Sequence, residues 1–258
     1  MADGAAAVVL LVGGVGELYQ GDLDLGRVAV ERLAAEDLGH HVVVEDLHYG
    51  AVAVAQRLVE LRPPHLVLVG AVVRGRPPGS VERRRVRQPE LTPNELQLSV
   101  GDAVTGYVSS DLVGEVAFAL GALPARTVAL EVEPTTTALS DRLSPDARAA
   151  LERVLELVRD EARRAPLLDL ADRVGRRCAE DAGRIGDTPA SRTLFDLLRS
   201  IRTMGDEGRW GRVFALRERL KREIDAGQTG EGLDLGDWAL WWALLDELDR
   251  LLAVEAGR

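Results

Sequence analysis

The chain has one cysteine (Cys178), one lysine (Lys221) and four histidines in 258 residues. A single thiol excludes an internal disulfide and any cysteine-based zinc site, and it fits a reducing compartment. The histidines are His40, His41, His48 and His65, so a site built on imidazole must draw on the first 65 residues. A net positive charge is also missing. A net charge of −10 argues against nucleic acid as a partner, because phosphate binding needs a basic surface that releases counterions. No apolar run approaches the ~20 residues of a membrane span. The opening Met1-Ala2-Asp3 has no basic segment of a targeting signal. The expectation is a cytoplasmic protein with no membrane partner. Scarce lysine beside abundant arginine reads as the coding bias of a GC-rich bacterial genome.

What is present is a hydrophobic content of 46%, ample for a packed core, and a clear βα alternation. The stretch Val8–Arg32, VVLLVGGVGELYQGDLDLGRVAVER, begins with five unbroken apolar residues, as a strand covered on both faces requires. Gly13, Gly14 and Gly16 turn the backbone, and Val28, Val30 and Leu33 start a helical face. In an open α/β sheet the site lies at the carboxyl ends of the strands, here near residues 13–24.

Further strands are predicted at His40–Leu47, Leu66–Val73 and Thr127–Val132, with helices at Val52–Leu61 and Leu112–Leu120. Ser144 as N-cap and Pro145 at the first helical position open a helix over Ala147–Arg164. Arg74–Gly101 reads as an irregular polar stretch whose arginines (Arg83, Arg84, Arg85, Arg87) form a solvated surface. From Pro166 the pattern becomes wholly helical: Leu167–Glu180, Arg192–Met204, Gly208–Ala226, and a last helix capped by Asp234 and reaching about Glu255. Trp238, Trp241, Trp242, Leu245, Leu248 and Leu252 fall on one face of that helix. Such a stripe is ordinarily packing core; any exposed part is a partner surface, for which Trp238, Trp241 and Trp242 are the candidates. The predicted fold is therefore α/β, a three-layer sandwich around a mostly parallel sheet over 1–164, followed by an all-α extension over 165–258.

The first turn fits neither GxGxxG nor GxxxxGK[ST], and Glu17, Asp22 and Asp24 would repel a phosphate. No serine sits in GxSxG, and Cys178 lies far from any histidine in sequence, so a nucleophilic hydrolase is not indicated.

The order of motifs resembles the hydrogenase maturation proteases, the α/β endopeptidases that trim the large subunit of nickel–iron hydrogenases. The resemblance runs from about Val8 to Glu161 and rests on GGVGELYQGDLDLG, LVLVGAVVRGRPPGSV, LPARTVALEVEP and LSPDARAALERVLELV. It implies the family's fold and, as partner, a nickel–iron hydrogenase large subunit. It also implies three metal-ligand slots: an acidic residue in the first turn, an aspartate ending the third strand and a histidine before the next helix. Carried over by position they fall on Leu23, on Gly70 and between about Gly106 and Ser110 (GYVSS), while Asp22 keeps the neighbouring acid. Leu23 and Gly70 offer no lone pair, so no metal and no cofactor is expected, and the chain reads as a non-catalytic relative acting as an accessory or binding factor. Two other readings stay open: an active endopeptidase using a rearranged site around Asp22, Asp24 and His48, and a protein recruited outside hydrogenase biology.

Overall fold

A computed structural model describes residues 8–86, 108–181, 185–205, 207–230 and 239–256. Its chain divides into two compact units, Met1–Ala162 and Arg163–Arg258.

The first unit is an α/β sandwich. β1 (Leu10–Gly14), β2 (Val42–Asp46), β3 (His65–Ala71), β4 (Val81–Val86) and β5 (Arg126–Val132) form one sheet in the order β2-β1-β3-β5-β4. The first three strands and β5 run parallel, and β4 joins the edge antiparallel to β5. β1, β3 and β5 are buried along their whole length, which explains the unbroken apolar runs that predicted β1 and β3. α2 (Ala51–Leu61) and α3 (Ser110–Ala119) cover one face, packing Val54, Leu58, Val113 and Val116 on Leu11, Leu66 and Leu68. α1 (Leu25–Leu33) lies on the other face, beside the first half of α4 (Pro145–Glu180); Arg159 pairs with Glu36 at 2.7 Å and Arg32 with Glu152. Burial of each large aliphatic side chain contributes about 1.5–3 kcal/mol.

Two expectations are corrected here. Arg83, Arg84 and Arg85 belong to strand β4 and not to a solvated loop; Arg83 reaches Glu161 at 2.7 Å and Arg85 donates to the Ala125 carbonyl at 2.9 Å. Arg87 and the rest of that stretch to Gly101 lie outside the described residues. Pro166 does not separate two helices. It sits inside α4, which runs on to Glu180.

The second unit packs the later part of α4 with α5 (Pro189–Ser200), a π-helical turn (Ile201–Gly205), α6 (Gly211–Asp225) and α7 (Ala239–Ala256). Its core joins Leu168, Ala171 and Val174 to Leu194, Leu197, Val213, Leu220, Leu244 and Leu248. Thr188 caps α5 in a reciprocal box with Ser191. Trp241 is 2% exposed and belongs to this core, Trp242 is 52% exposed, and Trp238 and Asp234 lie outside the described residues. Among the described residues no helix is long and apolar enough to cross a membrane.

Candidate functional site

The carboxyl ends of β1 and β3 meet where the first turn folds back over them. β1 continues into Val15, whose N–H donates to the Val69 carbonyl at 2.9 Å. The start of α1 approaches so closely that a Cβ on Gly26 would collide with the Val15 and Val69 carbonyls, so only glycine fits there. Between them run Gly16–Gln20 and a 3-10 turn, Gly21–Asp24. Val15, Gly16, Glu17, Leu23, Ala71, Val72, Val108, Ser109 and Ser110 line a small cleft of about 10 Å³, room for about one water.

Asp22 is fully buried beneath this turn. One carboxylate oxygen accepts from the Ser144 N–H at 2.7 Å; the other accepts from the N–H groups of Thr135 (2.8 Å) and Thr136 (3.2 Å) and the Ser144 hydroxyl (2.8 Å). These donors come from the segment after β5 and from the N-cap of α4, so Asp22 fastens the first turn to them. Asp24 is held by Arg27, with Nη2 at 2.6 Å and Nε at 2.9 Å. His48 has Nδ1 2.5 Å from Asp46 at the end of β2. Each of the three side chains required by a rearranged active site is thus engaged with a different partner. Among the described residues no three His, Cys, Asp or Glu side chains stand together so as to hold a metal ion.

Glu17 and Leu23 line the cleft, half-buried. Gly70 lies one residue before the lining Ala71. A Cβ there would come within 2.8 Å of the Val15 carbonyl oxygen and 3.0 Å of its Cγ2. The direction in which a ligand side chain would leave β3 is already filled. In the third slot Gly106 and Tyr107 lie outside the described residues, while Val108, Ser109 and Ser110 line the cleft and offer no imidazole. None of the described slot positions therefore fits the metal site that the resemblance implies.

Beside the cleft stands a charge cluster that sequence reasoning missed. Glu131, paired in register with Gly70, is 1% exposed. It accepts from Arg74 (2.8 and 3.1 Å), from Arg84 (2.7 Å) and from the Ser110 hydroxyl (3.0 Å). Asp111 bridges the same two arginines, each at 2.7 Å. Burial opposes ionisation of Glu131, but the hydrogen bonds from Arg74 and Arg84 outweigh it and bring the carboxyl down to about 2. Glu133 accepts from the N–H groups of Arg74 (2.9 Å) and Gly75 (3.0 Å), which lower its pKa against the opposing effect of burial. The signal was present in TVALEV: a lone carboxylate in an apolar strand must find partners when buried.

The class follows from these observations: an open, mostly parallel α/β sheet with its cleft at the carboxyl ends of the strands, carrying a helical extension. No family model matches the chain, and no curated protein matches it in sequence. Among solved structures it is similar to hydrogenase 2 maturation peptidase from a Thaumarchaeota archaeon, with 22% identity and a TM-score of 0.42 over 58% of this chain and 94% of that one. It is also similar to the hydrogenase maturating endopeptidase HybD from E. coli, at 23% identity and a TM-score of 0.42 over 58% and 88% of the two chains. For the [NiFe] hydrogenase maturation protease HycI from Thermococcus kodakarensis the values are 18% and 0.44 over 60% and 92%.

Proposed function

We propose that this chain is a hydrogenase maturation protease-like protein without metal-dependent cleavage, acting in the bacterial cytoplasm as a non-catalytic accessory or binding factor in nickel–iron hydrogenase maturation. Gly70 carries the argument. The slot that the sequence resemblance gives to an aspartate is a glycine, and its missing side chain would run into the Val15 carbonyl at 2.8 Å. Leu23 in the acidic slot offers no donor, and Asp22 and Asp24 are engaged elsewhere. Of the nine residues lining the cleft, Glu17 alone carries an ionisable side chain, whereas acid–base hydrolysis of a peptide needs a second group in reach.

The partner is a hydrogenase large subunit, contacted through the first turn, whose rim exposes Leu18 and Tyr19 at 39% and 63%. The part from 165 to 258 is a separate helical domain. The test mixes the purified chain with a large-subunit precursor, reads complex formation by surface plasmon resonance and the precursor's C-terminus by mass spectrometry, and measures Ni²⁺ binding by equilibrium dialysis. The expected result is a complex, an untrimmed precursor and no stoichiometric Ni²⁺. Trimming, or tight one-to-one Ni²⁺ binding, overturns the non-catalytic reading, and absence of a complex overturns the assignment to maturation.

A further inference from the structure

The α/β sheet has an open edge that the proposal above does not use. Among the described residues β2 has a single neighbour in the sheet, β1. The Leu10 N–H donates to the His41 carbonyl at 3.1 Å, and the Leu47 N–H donates to the Gly14 carbonyl at 2.8 Å. Odd-numbered residues along β2 therefore turn their backbone groups toward β1. Because these groups alternate along a strand, the Val42 carbonyl, both backbone groups of Val44 and the Asp46 N–H point to the other side. Such a row is a template for a further strand. The edge strand on the opposite side, β4, carries three successive arginines, Arg83, Arg84 and Arg85, a device that discourages pairing. β2 reads VVVED, has no proline, and matches β1 residue for residue from Leu10 opposite Val42 to Gly14 opposite Asp46, so no bulge bends it away. Its charges are all acidic and stand at one end.

Charge decides what can join this edge. Glu45 and Glu60 share one guanidinium, that of Arg57, at 3.0 Å from Nε and 3.1 Å from Nη1. Asp46 pairs with His48, whose Nδ1 is 2.5 Å away. Three carboxylates thus share one permanent cation. Tyr49 stands among them, 47% exposed; burial first, and then the carboxylates of Glu45, Glu60 and Asp46, push its phenol up against the opposing charge of Arg57. The local excess is negative on a chain of net charge −10, so the nearby and the overall fields attract the same kind of occupant. We infer that β2 docks an extended basic segment of a partner protein, which adds to the sheet as a further strand and sets arginine or lysine side chains against Glu45, Glu60 and Asp46 and over the Tyr49 ring. In strand addition the main-chain bonds give affinity and the side chains give specificity. Val43 packs on the α2 side of the sheet, so Glu45, two residues on, shares that face and Asp46 takes the other. Two successive basic residues of the added strand therefore meet one carboxylate each. Charge-assisted bonds to carboxylates are the strong ones, and a cation over an aromatic face adds to them.

The test uses the full chain and three fluorescein-labelled peptides of equal length. One alternates valine and threonine and carries an arginine-lysine pair at each end, so that it can add in either direction. The second has those basic residues replaced by glutamate, and the third keeps the sequence but has its central amides N-methylated, so that it cannot form a ladder. Fluorescence anisotropy is expected to show the first binding at least about tenfold more tightly than either control. Glu60→Lys, at a side chain 66% exposed, is expected to weaken it about tenfold through charge reversal. Tyr49→Ala is expected to weaken it about threefold through the lost aromatic face. Both variants are checked for unchanged circular dichroism and melting. Equal binding of the basic and acidic peptides, equal binding of the methylated and unmethylated ones, or unchanged binding by Glu60→Lys overturns the inference.

Discussion

The Nε2 atom of His41 stands 3.0 Å from the carbonyl oxygen of Ala162, the acceptor that α4 leaves open because Pro166, four residues on, has no N–H to give it. The next carbonyl, that of Arg163, accepts from the Arg250 guanidinium at 3.0 Å. Two side chains thus take over the acceptors around the proline, and the helix passes through a residue that ordinarily ends one.

This relationship predicts a specific coupling. His41→Ala leaves the Ala162 carbonyl without a donor and is expected to cost about 1–3 kcal/mol in chemical denaturation. Pro166→Ala restores the helical N–H, so the same His41→Ala change made in that background should cost clearly less. A double-mutant cycle checks it; strictly additive costs would mean that His41 stabilises the protein in some other way.

Glu131 makes stability sensitive to acid. Its carboxyl lies at about 2 in the folded state against 4.5 ordinarily. Folding therefore gains from its ionised form above about pH 4.5, and the gain disappears as pH falls from there to about 2. The shift corresponds to roughly 3 kcal/mol. Glu131→Gln leaves Arg74 and Arg84 facing a neutral group and is expected to destabilise by about 3–5 kcal/mol at pH 7. The difference between wild type and variant should shrink between pH 4.5 and 2 when both are followed by denaturant titration.

The parallel strands and the helices on them were legible because burial on both faces imposes apolar runs and a 3.6 period. β4 was not. Its sequence VERRRV has charge on both faces, and what makes it a strand is pairing to β5 together with carboxylates far away in sequence, Glu131 at 47 residues and Glu161 at 78. The passage of α4 through Pro166 was hidden for the same reason, since its supporting donor is 121 residues distant. At the cleft the sequence could not reveal that Asp22 is used up by backbone donors from the segment after β5. Local pattern reports burial; it does not report which distant group satisfies a buried charge.

Cys178 is 1% exposed within the helical core, and burial pushes its thiol up to about 11. It is expected to stay unreactive toward Ellman's reagent at pH 8 in the native protein and to react fully after denaturation, since the thiolate is the reacting species. Labelling rates should track unfolding across a urea series. Rapid native labelling would show that the helical core opens to solvent.

Asp22 is a structural carboxylate, and its replacement should betray that. In Asp22→Asn one oxygen becomes an amide NH₂ facing N–H donors, whichever way the side chain is turned, because donors occupy both oxygens. The expected cost is about 1–3 kcal/mol, with protease nicking of the segment around Thr135–Ser144 rising as its anchor is lost. Limited proteolysis with mass mapping reads this directly. Unchanged stability and an unchanged digestion pattern would leave the carboxylate free for a chemical role.

Placing acids at the two slots that the sequence resemblance implies tests whether the cleft can be made to hold a metal by substitution alone. Leu23→Glu changes a half-buried side chain at the cleft and should be tolerated. Gly70→Asp should not be, because its Cβ meets the Val15 carbonyl at 2.8 Å and must move backbone that itself holds β1 to β3 through the Val15 N–H. Overpacking of this kind typically costs about 1–3 kcal/mol, and the carboxylate would be displaced from the path that a ligand would take out of β3. The double variant is therefore expected to melt at a lower temperature and to bind Ni²⁺ no more tightly than the wild-type chain in isothermal calorimetry. Tight Ni²⁺ binding with undiminished stability would mean that the Val15 turn yields easily, and that two added acids suffice for the cleft to bind a metal.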